Sequence, residues 1–220
     1  KKFVKKLKNM GLCDSVDYTI PGAKQALINV PNDTVTISKM AYGYSVELSP
    51  LQMLTFYNGI ANDGKMITPL IVKEIRKNGK VIEEFESSVI RSSMCSDATL
   101  ESIRECLHDV VWNDTLGTAS VNPWGTRKAQ SDLVAIAGKT GTAQILEKGY
   151  SNRRHRMSFV GYFPEENPQY TCICVIHGPQ WPYDAGMDCG SVVRHIAEKT
   201  MAYAGEYVIK NGELVMVVKE

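Results

Sequence analysis

Ala137-Gly138-Lys139-Thr140-Gly141-Thr142-Ala143-Gln144 is the stretch that decides how this chain is read, because Gly-Lys-Thr serves two different kinds of site. One is a phosphate loop joining a strand to a helix. The other is a strand at a sheet edge that lines an acyl-transfer site. A phosphate loop needs a glycine five residues before Gly138, so that the backbone can wrap around an anion, and Leu133 stands there instead. The residues that follow read as more strand than helix, which leaves the sheet edge. Alternation along a strand sends Lys139 and Gly141 to one face and Thr140 and Thr142 to the other, so a twist or bulge is needed for both pairs to serve one site. Gly141 lets another backbone approach and pair, and a main-chain N–H just beyond it can donate to an oxyanion. Lys139 places a positive charge near a nucleophile or a carboxylate, and the threonine hydroxyls can hydrogen-bond that carboxylate.

Working outward, residues 133–205 read as sheet strands and a closing helix. Strands are expected from 133 to 146, over 157–163 and over 170–176, and the five-residue link Pro164-Glu165-Glu166-Asn167-Pro168 makes the last two antiparallel. A helix near 189–204 carries Val192, Val193, Ile196, Thr200, Met201 and Ala204 at helical spacing. Residues 206–220 hold a possible terminal hairpin around Asn211-Gly212. Residues 1–132 read as a mainly helical lobe with a small β ribbon. A first helix ends at Gly11, and an irregular stretch runs to about residue 40. Ser49-Pro50-Leu51-Gln52 then opens a helix with an N-cap serine, a proline at the first helical position and a glutamine able to close a capping box. Asn78-Gly79 centres a hairpin over 70–86, and a helix over 97–112 carries Leu100, Ile103, Leu107, Val110 and Val111 on one stripe.

Of the 220 residues, 44% are hydrophobic, ample for the core of one large domain or most of one. With 25 Lys+Arg against 24 Asp+Glu the net charge is +1, so no overall field draws the chain to nucleic acid. No apolar run approaches the ~20 residues that span a bilayer, and residue 1 opens inside an amphipathic helix, so a natural start upstream is expected. The six cysteines have no framework spacing and read as buried free thiols. Cys172-x-Cys174 followed by His177 does not make a metal site, since a strand turns the cysteines one way and the histidine the other. No metal or cofactor is expected.

The Lys-Thr-Gly-Thr strand resembles the third motif of the penicillin-binding proteins and serine β-lactamases. The likeness extends along the chain in order through Tyr42-Gly43-Tyr44, Leu48 to Gln52, Ile60 to Lys65, Pro69, Gly117-Thr118-Ala119 and Ser158-Phe159-Val160-Gly161-Tyr162-Phe163-Pro164. The chain is identified as similar to the C-terminal part, 1–220, of a class B penicillin-binding protein's transpeptidase domain, and resembles the cell-division type more than the elongation type. The resemblance implies an α+β fold, an antiparallel sheet packed against helices, present here as an incomplete fragment. Because the family's sheet also uses strands from before its nucleophile, an unsatisfied edge is expected, covered by the 207–218 hairpin or by a second copy.

Carried across residue by residue, the resemblance makes Lys139 the motif lysine, Thr140 and Thr142 carboxylate-binding hydroxyls, Gly141 the point of substrate approach, and the Thr142 N–H half of an oxyanion hole. Lys139 and Thr142 are thereby the catalytic candidates. Arg153, Arg154 and Arg156 read as a solvated turn, with contact to anionic glycan or a stem-peptide carboxylate as the alternative. The implied substrates are peptidoglycan stem peptides ending in D-Ala-D-Ala, joined through an acyl-serine; β-lactams are the implied inhibitors and divisome or other cell-wall synthesis proteins the implied partners. The implied place is the extracytoplasmic (periplasmic) face of a bacterial inner membrane, with the anchor outside this chain. Two departures qualify this. No Ser-x-x-Lys occurs, and Ser120-Val121-Asn122 matches the family's Ser-x-Asn in letters but follows Gly-Thr-Ala, where the second motif does not belong. Gly43-Tyr44-Ser45-Val46-Glu47 misses a nucleophile elbow because Glu47 replaces the last glycine. The fragment itself is therefore expected to be inactive. A non-catalytic penicillin-binding-like sensor or scaffold is the rival from another class, and a D,D-carboxypeptidase or β-lactamase the rival within the fold.

Overall fold

The computed structural model describes residues 2–12, 14, 16, 26, 33–145 and 154–204 with their side chains, and the backbone of 207–210 and 213–216. The chain divides into two compact units, Lys1–Leu100 and Glu101–Glu220.

In the first unit, α1 (Lys2–Asn9) buries Val4 and stops at Gly11, whose φ of 88° only glycine adopts without strain. The stretch expected to stay irregular to residue 40 instead contains α2 (Thr34–Met40), started by the Asp33 carboxylate accepting from the Thr36 N–H at 2.7 Å. Helix α3 (Pro50–Ala61) begins as expected: Ser49 Oγ accepts from the Gln52 N–H at 3.2 Å, and Pro50 occupies the first turn. The Gln52 side chain does not close a capping box. It is buried, and its Nε2 donates to the carbonyls of Leu12 (3.3 Å) and Asp14 (3.2 Å), tying α3 to the segment after α1. Strand β1 (Met66–Ile67) pairs with β4 (Val89–Arg91), and β2 (Glu74–Lys77) with β3 (Lys80–Glu84) around Asn78-Gly79, both at positive φ. Arg91 Nη2 meets Asp14 Oδ2 at 2.7 Å.

Helix α4 (Asp97–Trp112) buries Leu100, Leu107 and Val111, while Ile103 of the expected stripe is 38% exposed. The second unit is built on β5 (Ala137–Ile145), β6 (Arg154–Phe163) and β7 (Tyr170–His177), an antiparallel meander in the order β5-β6-β7. Strand β5 begins at Ala137, not 133. A single turn of π-helix (Gly186–Gly190) leads into α5 (Ser191–Tyr203). Met157, Phe159 and Phe163 of β6 meet Val193, Ala197 and Met201 of α5 in one apolar core. The α5 core face is thus shifted from the expected one: Val192 and Ile196 are 41% and 42% exposed. Alternation puts Cys172 and Cys174 against the same core, as the sequence implies, and Cys189 is buried within it. Burial pushes the Cys189 thiol up to about 12.

Strands β8 (Tyr207–Lys210) and β9 (Glu213–Met216) pair with each other as a separate two-stranded sheet, so among the described residues the terminal hairpin does not extend the β5-β6-β7 sheet. Among the described residues the hairpin therefore makes no strand pairing with the open edge that it was expected to cover. Asn211-Gly212 and residues 217–218 lie outside the described residues, as do Cys13, Leu146 and Arg153.

Candidate active site

The motif strand β5 lies at one edge of its sheet. One side pairs with β6 through nine successive positions, from Ala137↔Tyr162 to Ile145↔Arg154; among the described residues no strand pairs with the other side. Alternate N–H and C=O groups of such a strand face away from its only neighbour, which is the arrangement a second extended backbone needs. The close pairing at the buried end depends on glycines. Gly138 lies opposite Gly161, and a Cβ on Gly138 would come within 2.5 Å of the Val160 carbonyl oxygen.

The ladder is regular, so the bulge that alternation demanded is absent. The Lys139 side chain makes the crossing instead. Its Nζ folds along the strand and donates to the Thr140 carbonyl at 3.0 Å and the Thr140 Oγ1 at 3.3 Å, bringing the ammonium to the threonine side. Partial desolvation of the ammonium lowers its pKa from the ordinary lysine value. Thr142 is exposed, and Gly141 faces the Ser158 hydroxyl, 2.7 Å from where a Cβ would sit.

A third hydroxyl, not assigned from the sequence, joins this group: Thr118 Oγ1 lies 2.7 Å from Thr140 Oγ1. The Gly117-Thr118-Ala119 segment is held there by the end of α4. Gly117 donates to the Asn113 carbonyl at 2.7 Å and Ala119 to the Val110 carbonyl at 2.9 Å, and a Cβ on Gly117 would lie within 2.8 Å of the carbonyl oxygens of Asp109, Val110 and Asn113. The Thr118 carbonyl accepts from Lys128 Nζ at 3.2 Å, and the same ammonium meets Asp184 Oδ2 at 2.7 Å. Burial by itself would raise the Asp184 carboxyl, but hydrogen bonds from Lys128 and the Met187 N–H hold it below the usual value. Position and order of Gly-Thr-Ala were visible in the sequence; its contact with the motif strand was not, since that contact spans 22 positions.

The two decoys are structural. Ser120 is fully buried with its Oγ on Asp114 Oδ1 at 2.5 Å, and Asn122 Oδ1 accepts the N–H groups of Trp124 (3.0 Å) and Thr126 (2.8 Å) to shape a turn. Ser45 sits at a positive φ of 61°, away from any helix start. Arg154 and Arg156 lie on β6 rather than in a turn, and Arg156 Nε donates to His177 Nδ1 across to β7 at 3.2 Å. Among the described residues, no three metal-ligating side chains form a group that could hold a metal ion.

The penicillin binding protein transpeptidase domain model matches residues 1–202. The chain belongs to that family. Penicillin-binding protein PbpB of Mycolicibacterium smegmatis is 30% identical over 187 residues, which are 81% of this chain and 28% of that protein. A peptidoglycan D,D-transpeptidase FtsI homolog of Mesostigma viride is 30% identical over 173 residues, 72% of this chain and 27% of the relative. Penicillin binding protein 3 of Mycobacterium tuberculosis, solved in complex with aztreonam, superposes with a TM-score of 0.74 at 26% identity, covering 98% of this chain and 48% of that one. Penicillin binding protein 2X of Streptococcus thermophilus has the same fold, with a TM-score of 0.78 at 20% identity over 91% of this chain and 29% of that one. The chain thus spans under a third of the length of these curated relatives. Its mixed architecture of helices and antiparallel strands is that of the transpeptidase domain, as the motif order implied.

Proposed function

We propose that this chain supplies the substrate-binding edge strand of a serine-type D,D-transpeptidase that cross-links peptidoglycan, with the nucleophile contributed by residues outside these 220. The observation that carries the proposal is the gathering of the Lys139 ammonium and the Thr140 and Thr118 hydroxyls on a sheet edge with no neighbour among the described residues. A stem peptide ending in D-Ala-D-Ala can lie along β5 as an added strand, its carboxylate toward Lys139, Thr140 and Thr142. Gly141 leaves room for that backbone, and the Thr142 N–H is positioned in sequence to donate to the oxyanion formed when a serine hydroxyl attacks the penultimate carbonyl. The terminal D-alanine then leaves with the proton, and an acceptor amine displaces the serine ester. Lys139 acts as a fixed charge in both steps.

A β-lactam carries a comparable carboxylate beside a strained amide, and the relative solved with aztreonam supports the same use of this fold. The division role rests on the FtsI-like relative and on the motif order, and divisome proteins are the partners it implies. Action on peptidoglycan supports a location at the extracytoplasmic face of the membrane, and the proposal includes an anchor outside this chain; among the described residues no helix is long and apolar enough to cross a bilayer.

The test is exposure of the full-length gene product and of the 220-residue chain to a fluorescent penicillin, read by intact mass and peptide mapping. One adduct on the full-length protein, at a serine outside residues 1–220, and none on the 220-residue chain is the expected result. No adduct on the full-length protein would instead establish the sensor or scaffold reading. An adduct on Ser120 or Ser45 would refute the edge-strand site.

A further inference from the structure

We propose that Lys128 is a positioning residue for the carboxylate-binding group, acting through Thr118; the proposal rests on the reading of Lys139 to Thr142 as that group. Lys128 lies outside the motif strand. Its side chain is only 12% exposed, and its Nζ is shared between the Thr118 carbonyl (3.2 Å) and Asp184 Oδ2 (2.7 Å). An ammonium this enclosed keeps its place only while paired, so the Lys128–Asp184 contact fixes where the Thr118 carbonyl can sit.

The surroundings close the other ways out. Lys128 N–H donates to the Ser120 carbonyl at 2.8 Å and Ala129 N–H to the Ala119 carbonyl at 2.9 Å, so the 119–120 and 128–129 segments are hydrogen-bonded to each other. A Cβ on Gly186 would collide with the Thr118 oxygen, which shows the carbonyl pressed against the turn that carries Asp184. With the carbonyl held in this way, Thr118 Oγ1 lies 2.7 Å from Thr140 Oγ1. Since Lys139 Nζ can only donate, Thr140 Oγ1 accepts from it and is free to donate to Thr118 Oγ1. In that arrangement Thr118, rather than Thr140, presents the free hydroxyl proton, and an arriving carboxylate is the acceptor that it, the Lys139 ammonium and the Thr142 hydroxyl suit. Lys128 therefore sets the third donor of the site from behind, without touching the ligand.

The test uses the full-length protein and two acylating probes, a penicillin and its carboxylate methyl ester. Lys128→Met is expected to slow acylation by the penicillin about tenfold at subsaturating concentration, mainly through weaker binding, the scale expected when one charge-assisted hydrogen bond near a reacting centre is removed. Acylation by the ester should change less than about twofold, and Lys128→Arg should recover most of the rate. Thr118→Val should likewise weaken the preference for the free acid over the ester, and Lys128→Met combined with Thr118→Val should be no slower than either alone. Equal slowing with both probes would reduce Lys128 to a structural part and overturn the proposal, as would full activity of Lys128→Met. If Lys128→Met does not fold, Thr118→Val decides alone: an unchanged ratio of acid to ester rates overturns the proposal. Lys139→Gln separates the two levels, because slowing there with no effect at Lys128 or Thr118 removes this inference and leaves the edge-strand reading intact. No effect at Lys139 removes both.

Discussion

Adding one methyl group at Gly138 and, separately, at Gly141 tests whether the motif strand is closed on its sheet side and open on its ligand side. At Gly138 the new Cβ would sit 2.5 Å from the Val160 carbonyl oxygen, 2.6 Å from Phe159 Cζ and 2.9 Å from Gly161 Cα. Ordinary contact begins at 3.4 Å, so the nearest of these is 0.9 Å short, and two of the three obstacles are backbone that cannot turn aside. Overpacking of this kind costs about 1–3 kcal/mol, and with the β5–β6 ladder itself obstructing, the upper end is expected. At Gly141 the obstacle is the Ser158 hydroxyl at 2.7 Å, which can rotate away. The entropy gained by replacing a strand glycine, roughly 0.5–1 kcal/mol, offsets that adjustment, so Gly141→Ala should leave stability nearly unchanged. Denaturant unfolding of the full-length protein, with the midpoint compared at constant slope, measures both. Penicillin acylation of the same variants should fall with Gly141→Ala even though its stability holds, because the added methyl and the displaced Ser158 hydroxyl narrow the space beside the strand along which a ligand backbone would lie. Gly138→Ala as stable as the parent would refute the close-approach argument. Gly141→Ala both stable and fully reactive would show that nothing passes close to this residue.

Lys139→Gln in the full-length protein should slow β-lactam acylation by about 2–4 kcal/mol of transition-state stabilisation, the usual scale for a preorganised electrostatic group; unchanged rates would remove the lysine from the site. Because desolvation lowers the Lys139 pKa, the alkaline limb of the acylation profile should begin below the ordinary 10.5 and move upward in Lys139→Arg, which a pH series of stopped-flow rates would show. Ser49→Ala should destabilise the fold by about 1 kcal/mol in urea unfolding and Ser49→Gly by only a few tenths, as expected for an N-cap whose Oγ holds the Gln52 N–H. The Asp184 carboxyl is held below its ordinary value of 3.8, so the stability it adds is present above that value and lost as pH falls through the lower folded-state value. Asp184→Asn should therefore flatten the decline of melting temperature below about pH 4, and an unaltered decline would exclude this carboxyl as its source.

The sequence by itself determined whatever depends on neighbours in the chain. Asn78-Gly79 set a hairpin because both positions take positive φ, Ser49-Pro50 set a helix start, and the alternating runs around Pro164 to Pro168 set an antiparallel pair. The Lys-Thr-Gly-Thr strand and the ordered segments around it were likewise readable, since a motif is local. Helix α2 was missed because one capping aspartate, not an apolar period, starts it. The α5 core face was shifted because adjacent Val192 and Val193, with Ile196, fit two stripes, and only packing against Met157 and Phe159 chooses between them. Gln52 left its capping box for the Leu12 and Asp14 carbonyls, whose positions no local pattern contains. The site shows the same division. Tertiary structure alone decided that Thr118 meets Thr140 across 22 positions and that Lys128 is anchored to Asp184 across 56, because each contact depends on separate segments being brought together by the core.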